Sequence, residues 1–146
     1  MSQTGLEVFD STIHQTNEWL KSINEELGWG DRHLAYHALR STLQTLRDRV
    51  TPDIAAKLSA HLPLLVRGIY YEGYTPSSTP LKPRTQEEFL EVVLERYGHR
   101  EPIAVDEMVS AVFRTLNSHV TPELLVKVRH ALGEELTELW PEPATT

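Results

Sequence analysis

The chain predicts an all-α fold: two tandem three-helix repeats packed into one helical bundle-like domain. Three observations carry this. "VTPDIAAKL" begins at Val50 and "VTPELLVKV" at Val120, and sliding the chain on itself by 70 positions aligns residues 17–71 with 87–141 without a gap. Apolar residues recur at spacings of three and four along nearly the whole length, which is the period of an amphipathic helix. No segment sustains the polar–apolar alternation of a strand, and the β-branched residues fall inside helical stripes. The offset match includes the identities Glu18/Glu88, Leu20/Leu90, Glu25/Glu95, Gly28/Gly98, Thr45/Thr115, Leu46/Leu116, Lys57/Lys127 and Leu62/Leu132. Trp19/Phe89, Leu39/Val109 and Leu43/Phe113 exchange one apolar residue for another, whereas Leu65/Glu135 does not. Self-similarity at one fixed offset is the mark of an internal duplication.

The first repeat spans residues 1–74. Its first helix is long, with the stripe Leu6, Phe9, Ile13, Thr16, Leu20, Ile23 and Leu27 ended by Gly28. A second helix follows an Asp31 cap and carries Ala35, Ala38, Leu39, Thr42, Leu43 and Leu46 on one side. The third starts at the repeated signature. Thr51 at the N-cap accepts from an orphan amide, Pro52 at the first helical position loses no needed donor, and Asp53 meets the positive end of the helix dipole. Its stripe reads Ile54, Ala55, Leu58, Leu62, Leu65, Ile69. Residues 75–84 form a linker, "TPSSTPLKPR", which Pro76, Pro80 and Pro83 keep extended and exposed. The second repeat, residues 85–146, opens on Thr85 and Glu88 at capping-box spacing. Its second helix carries Val105, Met108, Val109, Val112, Phe113 and Leu116, and its third starts at Thr121 with Leu124, Leu125, Val128, Leu132, Leu136 and Leu139. Three-helix units this small bury little alone, so both are expected to share one core.

Composition narrows the function. The absence of cysteine excludes disulfides, thiol catalysis and cysteine-ligated metal centres, and suits a reducing cytoplasm. No apolar run approaches the ~20 residues of a membrane span, and the first residues lack the pattern of a targeting segment, so a soluble cytoplasmic protein without membrane association is expected. The net charge of −7 disfavours non-specific binding to polyanions, and no nucleic-acid partner is expected.

"RSTLQTLRDRVTPDIAAKLSAHLPLLVRGIYYEGY" resembles the signature of an uncharacterised bacterial family, domain of unknown function 2267, most specifically between Arg47 and Tyr74. The resemblance implies an all-helical cytoplasmic protein with the same pseudo-repeat. It implies no reaction and no catalytic residue.

Candidate sites therefore rest on side-chain chemistry. His33 and His37, four apart on one helix face, could hold a divalent metal with Asp31, His61 or His14, and such a centre is the alternative enzymatic or metal-binding reading. The zinc-protease pattern is absent because Leu34 stands where a glutamate is needed, and the matching positions are Ile103 and Glu107, so no metal or other cofactor is expected. Ser41, Ser59 and Ser110 lie within helical periodicity without a glycine-flanked elbow. "GWG" at Gly28 is a helix stop, not a phosphate loop. "LRDRVTPDIAAKL" imitates a helix-turn-helix with Arg40, Arg47 and Arg49 nearby, a second alternative of DNA binding. Its following helix is apolar where a reading helix must be polar. The favoured expectation is a non-catalytic protein-interaction module, binding a protein partner or itself through Arg67, Tyr70, Tyr71 and Tyr74 at the end of the first repeat.

Overall fold

Helix starts and stops fall largely where the local chemistry places them. A computed structural model describes residues 3–81, 85–98 and 104–141, and among these the regular elements are eight α-helices and one 3₁₀ turn, with no strand. Helix α1 (Glu7–Leu27) ends on Gly28, whose φ of 68° lies in the left-handed region that glycine enters without a Cβ penalty. Helix α2 (Arg32–Arg49) starts from Asp31, whose carboxylate accepts from the His33 amide at 2.9 Å. Helix α3 (Pro52–Ser59) starts from Thr51, whose hydroxyl accepts from the Ile54 amide at 3.4 Å. Helix α4 (Leu64–Tyr71) completes the first half. In the second half, α5 (Gln86–Tyr97) starts from Thr85, which accepts from the Glu88 amide at 3.1 Å while its hydroxyl donates to the Glu88 carboxylate. Helices α6 (Val105–His119), α7 (Pro122–Leu132) and α8 (Glu134–Thr137) follow.

The structure corrects one expectation in both halves. The stripe predicts a single third helix, but the chain breaks between α3 and α4 and again between α7 and α8. Pro63 has no amide to donate and disfavours helical backbone at Leu62, and Gly133 at φ 91° and ψ 162° leaves the helical region. These positions are 70 apart, so different residues make the same interruption. The break resets the helical phase: Val66 and Tyr70 face the core, and Leu65 turns to solvent. The linker is also less extended than expected, with a 3₁₀ turn at Pro76–Ser78 and the Leu81 amide donating to the Asp48 carbonyl at 2.6 Å. Pro83 and Ile103 lie outside the described residues.

Helix α2 is the centre of the packing and touches α1, α3, α4, α5 and α6. Helix α1 packs on α6 as α5 packs on α2, while α2 meets α6 and α3 meets α7. Exchanging the halves leaves these four pairs unchanged, whereas the packing of α2 on α3 and α4 and of α7 on α8 is not matched to the same extent in the other half. The buried apolar side chains form one cluster drawn from both halves, including Trp19, Leu39, Leu43, Tyr70, Phe89, Phe113 and Trp140. Burying each large side chain contributes about 1.5–3 kcal/mol, and a shared core lets two small units do this together. Among the described residues no helix is long and apolar enough to cross a membrane.

One asymmetry matters for the surface. Helix α5 begins at the position matching residue 16, so residues 7–15 of α1 extend beyond anything α5 provides. The stripe continues into this overhang, but its first members, Leu6 and Phe9, are exposed.

Candidate functional site

The expected aromatic cluster is brought together, but it faces inward more than outward. Tyr70 is fully buried, and its hydroxyl donates to the Ala55 carbonyl at 2.8 Å. Burial, with Tyr71 and Tyr74 alongside, pushes its phenol far above the usual range, so it stays neutral. Tyr71 lies edge-on to Tyr70 and is half-buried against the core. The guanidinium of Arg47 sits 5.2 Å from the centre of the Tyr74 ring, and the Tyr74 hydroxyl is buried without a hydrogen bond among the described residues. Arg67 is not free for a partner either. It donates to the carbonyls of Ser59 at 2.9 Å and Leu62 at 3.1 Å, closing the end of α3. Tyr70 is therefore core, and the other three have internal contacts that the sequence did not reveal.

Behind the cluster lies a buried charged group. Arg47 donates from Nε to the Asp48 carboxylate at 3.0 Å and from one terminal nitrogen to the carbonyls of Tyr70 at 2.6 Å and Glu72 at 2.7 Å. Arg96 of α5 reaches the same carboxylate at 2.7 Å. Both Arg47 and Asp48 are buried, so the pair and its carbonyl partners compensate the desolvation of their charges. The other two arginines considered for DNA have internal partners as well: Arg40 donates to the Arg96 carbonyl and Arg49 to the Leu132 carbonyl. In α3, the turned face buries Ala55, Leu58 and Ser59.

The histidines and serines are placed as follows. His33 is exposed beside the Asp31 cap, and His37 lies edge-on to Tyr36. Among the described residues, no group of three or more histidines and carboxylates could hold a metal ion. The hydroxyls of Ser41, Ser59 and Ser110 donate to the carbonyls of His37, Ala56 and Leu139. His119 stacks on Trp19 with ring centroids 4.5 Å apart, at a cleft of about 310 Å³ that Glu18 and His61 also line. His119 is exposed at one edge, but its partial burial against Trp19 lowers its pKa, and the nearby Glu18 opposes that shift.

The outstanding surface lies elsewhere. Leu6, Val8 and Phe9 at the start of α1 and Leu64 and Leu65 at the start of α4 are between 44% and 58% exposed. The two starts are tied together, because the Leu65 amide donates to the Thr12 hydroxyl at 2.9 Å. Val8 and Phe9 precede Thr12 by four and three residues and flank its direction one turn earlier. The leucines are no demand of the fold: 70 positions on, the start of α8 carries Glu134 and Glu135, equally turned to solvent. There the glutamates suit the positive helix end, and Gln86 donates to the Glu135 carbonyl at 2.9 Å. The Leu65/Glu135 mismatch was the sequence signal for this ridge, but with a continuous third helix assumed, Leu65 belonged to the core stripe. The ridge carries no nucleophile or base. Its chemistry is that of apolar contact.

Such a molecule is a single-core α-helical bundle with an apolar ridge at one end. The chain belongs to the family described as uncharacterized conserved protein (DUF2267), whose pattern matches residues 16–139. The match includes Leu64 and Leu65 and leaves the overhanging turns of α1 outside. No curated protein matches the chain.

Proposed function

We propose that the protein is a non-catalytic binding module that docks another protein on the ridge formed by Leu6, Val8, Phe9, Leu64 and Leu65. The observation that supports this reading is the exchange of Leu64 and Leu65 for Glu134 and Glu135 at matching solvent-facing positions. Exposed leucine pairs gain nothing in water, and clustering with three more apolar side chains marks a contact surface. Arg67, held on the Ser59 and Leu62 carbonyls, anchors the ridge's second helix to the end of α3. The lack of cysteine supports a reducing compartment such as the cytoplasm as its place of action.

The test replaces Phe9 and Leu65 together by serine. Their exposure predicts an unchanged fold by circular dichroism and a denaturation midpoint close to wild type. Proteins cross-linked to the wild type in its native cell should be lost with the variant and retained with Val126→Ser, which alters an exposed residue far along the chain. Identical captured sets for all three forms would end this reading.

A further inference from the structure

We infer that the occupant of the ridge is an amphipathic helix of another protein, with basic residues flanking its apolar stripe. This rests on the docking surface proposed above and adds the partner's shape and charge.

The shape follows from the spacing on α1. Leu6, Phe9, Ile13, Thr16, Leu20, Ile23 and Leu27 step by alternating threes and fours, the 3.5-residue repeat of a helix seam. From Thr16 to Ile23 the seam is filled, with Thr16, Trp19, Leu20 and Ile23 buried where α1 packs on α2 and α6. Before Ile13 the same spacing continues with Leu6 and Phe9 exposed. The start of α4 stands beside it and supplies Leu64 and Leu65 as the second wall. A seam that packs helices along its covered length presents helix-compatible spacing along its open length.

The sign of the partner's charge follows from the rim. Along the overhanging residues 7–15 of α1 the acidic side chains are Glu7 and Asp10, the latter accepting from the Gln3 and Thr4 amides, and no lysine or arginine occurs; the next charges, Glu18 paired with His14 and then Lys21, lie on the covered length. Glu72 closes the far end of α4 and is exposed. The one arginine of that helix, Arg67, is held on the carbonyls of Ser59 and Leu62. A second copy of this chain, at a net charge of −7, brings like charge to the same rim, and an anionic bilayer does the same. A basic helix is complementary on both counts. With only five large side chains, the ridge is smaller than a standard interface, and binding in the micromolar range is expected.

The probes are two synthetic helices of about 18 residues with identical leucine stripes, one flanked by lysine and one by glutamate. Fluorescence anisotropy against the full chain should show the lysine helix binding at least about tenfold more tightly than the glutamate helix. Phe9→Ser/Leu65→Ser should weaken the lysine helix at least about tenfold, whereas Val126→Ser should not. Equal binding of both helices would overturn the inference on charge while leaving the docking surface standing. No binding of either helix, or lysine-helix binding untouched by Phe9→Ser/Leu65→Ser, would overturn the inference as a whole. So would a dimer in sedimentation velocity, or adsorption to zwitterionic vesicles, that the same double substitution abolishes.

Discussion

The end of α2 and the end of α6 hold matching positions in the two halves and solve one problem in two ways. Each must tie down the chain that leaves the last helix of its half. In the first half Arg47 donates to the carbonyls of Tyr70 and Glu72. In the second, Asn117 stands 70 positions on and donates to the Pro141 carbonyl at 2.9 Å, while accepting from the Trp140 indole at 2.7 Å. Tyr70 and Trp140 also match in position. A neutral amide is thus enough for the clamp, and the charge at Arg47 answers to something further. That is Asp48, which also receives Arg96 from the other half and so joins α2 to α5 through a buried carboxylate. The matching residue, Ser118, is exposed. At this position the first half carries a buried ionic bridge as well as a clamp, and the second carries the clamp alone; another ion pair between the halves, Arg114 with Glu26, lies at the surface.

The comparison breaks most visibly at this pair. Asp48→Ala leaves two arginines without their shared counter-charge, and a loss of about 3–5 kcal/mol is expected from urea denaturation. Ser118→Ala should change stability by no more than about 0.5 kcal/mol. Equal effects would show that the ionic bridge has no structural weight.

A smaller difference lies one residue on, where Arg49 reaches the Leu132 carbonyl and His119 stacks on Trp19. The groups facing His119 are Glu18 on α1 and His61 in the turn after α3, and Glu18 in turn pairs with His14. Burial lowers the folded-state pKa of His119 below the unfolded value of about 6.5. The unfolded chain therefore takes up this proton first as pH falls. The contribution is full above about pH 6.5 and is lost as pH drops through the folded value. The difference in midpoint between wild type and His119→Gln should accordingly shift as pH is lowered from 7.5 to 5, each figure an approximate bound for the titration. A difference constant across that range would remove His119 as a titrating group.

The smallest effect concerns the repeated threonines. Thr51 accepts from an amide at 3.4 Å, while the Thr121 side chain makes no capping bond although its residue holds the same N-cap position. Thr51→Ala should cost about 0.5–1 kcal/mol, and Thr121→Ala less. Equal losses would mean that both hydroxyls cap in solution.

Much of the fold was legible because it is decided locally. Asp31, Thr51, Thr85 and Gly28 act on amides or backbone angles within a few residues, and each ends or begins a helix where the sequence places it. The helical stripes were legible for the same reason, since 3.6 residues per turn relates spacing directly to a face. Apolar spacing predicts one continuous third helix because it carries on through Pro63 and Gly133, and periodicity does not record a break in phase. That break moved Leu65 outward and Tyr70 inward, and with them the candidate surface.

Which side chains meet across the halves was settled only by packing. Asp48 and Arg96 are 48 positions apart, and nothing in their surroundings names the other as partner. The exposure of Leu6 and Phe9 has the same origin. Their spacing is that of a buried seam, and whether a seam is covered depends on how far neighbouring helices extend. Helices α2, α4 and α6 pack on α1 and bury Thr12 and the stretch from Thr16 to Ile23, leaving its first turn to water, because burial is a property of the assembled volume and not of the strip of residues that enters it.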